Sequence, residues 1–258
     1  MFQYNGSRVA FSFLGIDVYW YGVLIVTGMI LAVYLVSREL KRLGENPDLI
    51  YDIAIWVLPA SIIGARLYYV IFEFGRYDNI WEMINVRDGG LAIHGGVIAA
   101  VLVGFIYSKI KRINFFKVSD LVAIFMPLAQ AIGRWGNFIN NEAHGGPTNA
   151  PWALIIDGQK YHPTFFYESL GNFLIFLGLF IYYRKKSPNT GKLTALYMIF
   201  YGILRFFVES LRTDSLWWGP IRVAQLVSIF GIITGVIIIY FANKNKFYSE
   251  DFYNIKNI

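Results

Sequence analysis

Seven apolar runs, at about 20–37, 51–72, 91–108, 118–138, 165–183, 193–211 and 223–241, alternate along the chain with short polar segments. A helix crosses the hydrocarbon core of a bilayer with about 20 residues. Within lipid, only helices and closed barrels satisfy every backbone polar group. The pattern therefore predicts an all-α polytopic membrane protein with seven transmembrane helices. A single membrane domain over 1–258 is expected, because no Pro/Ser-rich or charge-rich stretch is longer than a loop. The longest polar interruption, about 139–164, carries the turn signals Gly145-Gly146-Pro147 and Asn149-Ala150-Pro151. It predicts a small extracytoplasmic cap between the fourth and fifth helices, in which 152–156 suits a strand. The lead-in at 11–18 is uncharged except for Asp17 and has no small-x-small cleavage pattern. The first run is accordingly expected to be a retained span.

Composition sharpens this picture. Of 258 residues, 56% are hydrophobic, 18% aromatic and only 16% charged, against about 25% charged in a soluble domain. The net charge of +6 does not point to nucleic acid, because the basic residues sit in short loops, where they act as topology signals. Fourteen fall in one set of loops: Arg38, Lys41 and Arg42; Lys109, Lys111, Arg112 and Lys117; Arg184, Lys185, Lys186 and Lys192; Lys244, Lys246 and Lys256. The opposite set holds six: Arg8, Arg76, Arg87, Lys160, Arg212 and Arg222. The positive-inside rule makes the first set cytoplasmic, with the N-terminus outside and the C-terminus inside. Cysteine is absent. That excludes a disulfide scaffold, a thiolate metal site and a cysteine nucleophile, so any thiol in the chemistry must come from a substrate.

Three charged side chains stand out inside the spans: Arg66, Arg134 and Arg205. At about 1.5 Å per residue they lie roughly 23, 24 and 18 Å from the cytoplasmic starts of their helices. His94 lies about 5 Å below the outer end of its own span. All four reach the outer half of a core about 30 Å thick, and Gln130, Asn137 and Glu209 fall at similar heights. A lone arginine such as Arg66 can snorkel to the headgroups. The set as a whole, above cytoplasmic halves rich in Ile, Leu, Val and Phe, points to an anionic site near the outer leaflet that binds a phosphate.

The densest motif is Gly133-Arg134-Trp135-Gly136-Asn137-Phe138-Ile139-Asn140-Asn141-Glu142-Ala143-His144-Gly145. Arg134 and Asn137 are three apart and share a helix face. Glycines at 133 and 136 permit close approach of a second helix or a ligand. A packing face with a snorkelling arginine is the plain alternative. This block fits G-R-x-G-N-F-x-N-x-E-x-x-G and resembles the signature of the prolipoprotein diacylglyceryl transferases. Further segments resemble that family in order. They are Tyr19-Trp20-Tyr21-Gly22, Asp88-Gly89-Gly90-Leu91-Ala92-Ile93-His94-Gly95-Gly96, and Tyr201-Gly202-Ile203-Leu204-Arg205-Phe206-Phe207-Val208-Glu209 followed by Arg212-Thr213-Asp214. His162-Pro163-Thr164 with Tyr167-Glu168 has the same look. Nearly the whole chain is covered.

The resemblance implies transfer of a diacylglyceryl group from phosphatidylglycerol to the lipobox cysteine of a prolipoprotein, the first step of bacterial lipoprotein maturation. A thioether forms and glycerol phosphate is released. The place would be the bacterial cytoplasmic membrane, with the active site towards the outer leaflet. Partners would be phosphatidylglycerol, the signal-peptide lipobox segment and membrane lipids, with no nucleic acid. The residues suit that chemistry. Four glycines flank His94, each costing about 1 kcal/mol in a helix relative to alanine, which suggests close approach of a substrate. A histidine with a pKa near 6.5 is a suitable base for a thiol of about 8.5, although a structural histidine is the competing reading. Planar guanidiniums stabilise the charge that grows on a departing phosphate. His94 is thus the expected general base, with Arg134 and Arg205 as phosphate clamps. Tyr21, Gly95, Gly96, Asn137, Asn140, Glu142, Gly145, Tyr201 and Glu209 are expected to orient or bind substrate. Simple pairing of Glu209 with Arg205 or Arg212 is the alternative for that glutamate, and Trp217-Trp218 reads as an interfacial anchor. Nothing in the chemistry asks for a cofactor or a metal. An anion or lipid transporter with an outer-leaflet arginine site is the competing class. It would want polar residues running on into the cytoplasmic halves, and an inverted repeat.

Overall fold

The computed structural model describes residues 1–77, 79–86, 89–247 and 252; Arg87, Asp88 and Lys256, used in the readings above, lie outside them. Its helices are α1 (Trp20–Arg42), α2 (Leu49–Phe72), the short α3 (Ile80–Ile84), α4 (Ile93–Ile110), α5 (Phe115–Asn140), α6 (Thr164–Lys186), α7 (Lys192–Leu211) and α8 (Val223–Asn243). All except α3 are long and apolar enough to cross a membrane, which gives the seven expected spans. Two of them run past their apolar segments at basic ends. Helix α1 continues through Lys41 and Arg42, and α6 through Arg184, Lys185 and Lys186. Cations in a last helical turn complement the C-terminal dipole, and their long stems let the helix continue past the hydrocarbon.

Among the described residues, one antiparallel hairpin precedes α1 and two more join successive helices, α5 to α6 and α7 to α8. The first pairs β1 (Val9–Phe13) with β2 (Ile16–Tyr19), the second β3 (Leu154–Ile156) with β4 (Gln159–Tyr161), and the third β5 (Trp217–Trp218) with β6 (Ile221–Arg222). The first two turn through Leu14-Gly15 and Asp157-Gly158, all four residues at positive φ, as two-residue hairpin loops require. The strand expected at 152–156 is therefore β3, shortened at its start. The lead-in at 11–18, ahead of the first span, lies within the hairpin at 9–19.

The chain forms two compact units, Met1–Val36 with Phe116–Tyr248 and Ser37–Phe115 with Ser249–Ile258. In the first, α7 and α8 pack closely because Gly202 and Gly235 remove side chains from the contact. A Cβ on Gly202 would lie 2.9 Å from the Ser228 carbonyl oxygen, and one on Gly235 2.8 Å from that of Ala195. The start of α7 is capped from α5. Asp120 accepts from the Gly191 and Thr194 amides at 2.6 and 2.8 Å and from the Thr194 hydroxyl at 2.7 Å. That carboxylate satisfies amides a helix N-terminus leaves orphaned, which explains an acidic residue in the first third of α5. Phe2 straps the 139–164 segment to the same unit. Its amide donates to the Ala153 carbonyl at 2.9 Å, its carbonyl accepts from the Ile155 amide at 2.8 Å, and its ring packs among Trp135, Phe138, Phe165 and Phe166.

In the second unit α2 and α4 cross at two glycines. A Cβ on Gly64 or Gly95 would collide with the backbone of the other, and one on Gly96 would sit 3.2 Å from the Ser61 carbonyl oxygen. Arg66, buried on α2, holds the segment that leads into α4. Its Nε donates to the Met83 carbonyl at 2.8 Å, Nη1 to Gly89 and Gly90 at 2.7 and 3.0 Å, and Nη2 to Glu82 at 2.6 Å. Arg66 is thus a backbone clamp. It neither snorkels nor presents a free guanidinium, and the reading that grouped it with a phosphate site is replaced.

Candidate active site

The polar centre of the first unit is built from α5, α6 and α7. Arg134, near the end of α5, donates from Nη2 to Glu168 Oε1 at 2.5 Å and from Nη1 to Asn137 Oδ1 at 3.3 Å. The three-residue spacing places Arg134 and Asn137 on one face, as the sequence implies. Glu168, in the second turn of α6, reaches across with its other oxygen, Oε2, which accepts from Arg205 Nη1 of α7 at 3.1 Å. Tyr201, one turn before Arg205, donates from its hydroxyl to Glu168 Oε1 at 3.5 Å. Arg205 Nη2 lies 2.6 Å from Glu209 Oε2, and Arg212 Nε lies 3.9 Å from that oxygen. Arg212 then holds Asp214 through both Nε and Nη2, at 2.9 and 2.8 Å.

Six formal charges thus alternate in sign along one connected row: Arg134, Glu168, Arg205, Glu209, Arg212, Asp214. The buried members are the two glutamates; the Glu168 side chain is 2% exposed, whereas those of Arg134 and Arg205 are 24% and 16% exposed. The guanidiniums are partly exposed, whereas Glu168, which pairs with both, is buried. At the outer end, burial alone would raise the Asp214 pKa, but the hydrogen bonds and charge of Arg212 outweigh it and hold the carboxyl below its ordinary value.

The rest of the motif closes around Asn137. Its Nδ2 donates to Glu142 Oε1 at 2.9 Å, and Asn140 Nδ2 donates to the same oxygen at 3.3 Å. The chain leaves α5 through Asn141 and Ala143 at φ +52° and +55°, which turns Glu142 back over the helix end. The Thr164 hydroxyl donates to the Ala143 carbonyl and ties this turn to the start of α6. Tyr21 packs on Gly136, where a Cβ would sit 3.1 Å from the Tyr21 Cα. Gly145 fills a tight crossing: its amide donates to the His162 carbonyl at 2.9 Å, and a Cβ there would lie 2.9 Å from the Leu211 carbonyl oxygen.

The matched family model is that of the prolipoprotein diacylglyceryl transferases, over residues 8–241. Curated relatives point the same way. The phosphatidylglycerol–prolipoprotein diacylglyceryl transferase of Clostridioides difficile (strain 630) is 52% identical over 242 residues, covering 93% of this chain and 97% of that protein. The enzyme of the same name from Finegoldia magna is 55% identical over 234 residues, covering 90% and 94%. That from Oceanobacillus iheyensis is 44% identical over 255 residues, covering 92% and 88%. The chain belongs to the prolipoprotein diacylglyceryl transferase family.

The structure of this transferase-family chain brings together most of the residues singled out from sequence: Arg134, Asn137, Asn140, Glu142, Tyr201, Arg205 and Glu209, with Tyr21 seated on Gly136. His94, Gly95 and Gly96 belong to the other unit, at the start of α4. There the His94 ring lies 6.1 Å from that of Tyr68, which stacks on Phe72. Gly95 and Gly96 have a packing reason in the α2–α4 crossing, and Gly145 has one in its backbone crossing.

Glu168, quoted in the sequence only as part of the family-like segment with His162-Pro163-Thr164, had no role assigned to it there and lies at the centre of this row. The tally of three charged side chains inside the spans is incomplete, because Asp120 and Glu168 also lie within α5 and α6. The missed signal was a glutamate one turn into an apolar run, six residues after His162-Pro163. An acid there needs a cation of its own, and two arginines at matching depth were already in view.

Proposed function

We propose that this chain transfers the diacylglyceryl group of phosphatidylglycerol to the thiol of a prolipoprotein lipobox cysteine, with Arg134 and Arg205 holding the phosphate and His94 taking the thiol proton. The observation that carries this reading is the convergence of Arg134 and Arg205, from different helices, on one buried carboxylate. Two partly exposed guanidiniums held on one carboxylate can share a single phosphate. Each retains N–H donors beyond those engaged within the protein.

The reaction runs as a displacement. The thiol proton passes to His94, and the sulfur forms a bond to the glyceryl carbon that carries the phosphate. The carbon–oxygen bond breaks, its electron pair stays on the phosphate oxygen, and glycerol phosphate departs. The phosphodiester carries one negative charge and the departing monoester up to two, so charge grows where the guanidiniums lie. Preorganised donors aimed at developing charge are typically worth about 10²–10³ in rate each. Asn137, Asn140 and Glu142 keep the end of α5 in register, and Tyr201 and Glu209 do the same for Arg205.

The loop-charge bias supports an N-terminus outside and a C-terminus inside. That orientation turns the Arg134 end of α5 and the Arg205 end of α7 towards the outer leaflet of the bacterial cytoplasmic membrane.

The test uses the purified full chain in nanodiscs with radiolabelled phosphatidylglycerol and a lipobox peptide. Label should pass to the cysteine peptide and not to its cysteine-to-serine counterpart. His94→Gln should retain phosphatidylglycerol binding yet transfer about 10²–10⁴-fold more slowly, with partial recovery at higher pH. Normal transfer by His94→Gln at pH 7 would remove His94 as the base and leave the arginine assignment standing.

A further inference from the structure

The phosphate-clamp reading uses Glu168 only as an anchor for the two arginines. A buried carboxylate bound to both clamp arginines weakens their attraction for an anion, which looks at first like a defect. If anchoring the arginines were all that is needed, neutral acceptors would do it without the desolvation penalty of a buried charge. The row from Arg134 to Asp214 is formally neutral, so its carboxylates offset part of the attraction that its guanidiniums hold for an anion.

We infer that Glu168 is a positioning residue that also sets how strongly the site holds phosphate, keeping the glycerol phosphate product from being trapped. The inference rests on the phosphate-clamp reading. Its logic lies in the charge change of the reaction. A phosphodiester carries one charge, whereas a phosphate monoester carries about 1.5–2 at neutral pH. Two bare guanidiniums would therefore bind product more tightly than substrate, and turnover would stall at release. Glu168 lies 2.5 Å from Arg134 and 3.1 Å from Arg205. It repels each added negative charge on the phosphate. The penalty is small for the diester and larger for the dianion, so the two are held about equally.

The arrangement has a second consequence. Glu168 Oε1 is shared by Arg134 and the Tyr201 hydroxyl, and Arg205 is shared by Glu168 and Glu209. Removing the charge of Glu168 leaves Arg205 still anchored by Glu209. It releases Arg134 from its only ion-pair partner among the described residues. The effect of a Glu168 substitution should thus appear mainly as tighter anion binding at Arg134.

The experiment compares two soluble inhibitors of the full-length protein in nanodiscs: glycerol phosphate, a dianion, and glycerol methyl phosphate, a monoanionic diester. Wild-type protein should bind the two within about threefold of each other. Glu168→Gln preserves shape and removes the charge. It should bind glycerol phosphate at least about tenfold more tightly, as expected for loss of a like charge a few ångströms away at an effective permittivity near 20. Its KM for phosphatidylglycerol and its kcat should fall together. Glu168→Asp keeps the charge but shortens the reach; it should lower kcat/KM without tightening glycerol phosphate.

A folded Glu168→Gln protein with unchanged or weaker glycerol phosphate binding overturns the inference and reduces Glu168 to a scaffold. So does a wild-type protein that already prefers the dianion tenfold, a measurement that needs no variant to fold. If neither inhibitor binds, or if Arg134→Gln leaves both affinities unchanged, the clamp reading itself has failed.

Discussion

Replacing Arg66 with lysine decides between two physical roles for an arginine inside a span. A snorkelling cation needs only a long stem and a charge, and lysine supplies both. A backbone clamp needs the planar fork. Arg66 engages four carbonyl oxygens, of Glu82, Met83, Gly89 and Gly90, at 2.6–3.0 Å from all three of its nitrogens. Lysine offers a single nitrogen at the tip and cannot replace the Nε bond to Met83 while also reaching the other three. Losing at least two charge-assisted bonds at about 1.5–3 kcal/mol each puts the local cost at roughly 3–6 kcal/mol. Domains of this size have total stabilities of about 5–15 kcal/mol, so the segment ahead of α4 should open without unfolding the chain. Amide exchange across 89–96, followed by mass spectrometry in nanodiscs, should accelerate by about 10²-fold or more in Arg66→Lys. Transfer should slow because His94 stands on the first turn that this segment leads into. Phosphatidylglycerol binding through Arg134 should persist. Wild-type exchange in the lysine variant would refute the clamp and restore the snorkelling reading.

Three further outcomes follow from the charges. Single cysteines at Asn149 and Asn189 should label from opposite sides of the membrane with an impermeant maleimide, since the chain has no cysteine of its own; labelling from one side would end the proposed topology. Arg134→Lys should lose about 10²-fold or more in kcat/KM, because one ammonium cannot hold Glu168 and Asn137 and still present two parallel donors to a phosphate; near-normal turnover would mean that only a diffuse positive field is required. The Asp214 carboxyl sits below its ordinary pKa of 3.8 because Arg212 holds it. Its stabilising contribution is therefore complete above about pH 4 and lost as the pH falls through the lowered value. Asp214→Asn should remove that acid-side decline. The size is under about 1 kcal/mol, since the Asp214 side chain is half exposed, so melting of the two proteins should differ at pH 6 and draw together as the pH falls below about 4. Curves that stay parallel would show the pair to be unimportant.

The spans were legible because lipid imposes a length and a composition on every crossing helix, and no tertiary contact is needed to read them. Their ends were less so. Helices α1 and α6 continue into basic segments that hydropathy alone assigns to loops. The hairpin at 9–19 was hidden because its strands are short and largely exposed, leaving little alternation to mark them. Depth was also readable, but depth does not name a partner. Arg66 and Arg134 lie at nearly the same estimated height, and only their neighbours separate a guanidinium filled by backbone carbonyls from one paired with a buried carboxylate.

That distinction explains why three of the five links in the charged row could be anticipated and the two through Glu168 could not. Arg205 with Glu209 is an i, i+4 pair on one helix, and Arg212 stands two residues from Asp214; local spacing is enough to suggest both. Glu168 is 34 residues from Arg134 and 37 from Arg205, and nothing in the periodicity of α6 says which helices flank it. A carboxylate in an apolar helix is nevertheless a demand for compensation, because an unpaired charge there is too costly to keep. Reading the spans for cations alone finds the arginines proposed to hold the phosphate. Reading them for charge balance also finds the carboxylate that pairs with both. In an enzyme whose product is more highly charged than its substrate, that residue bears directly on turnover.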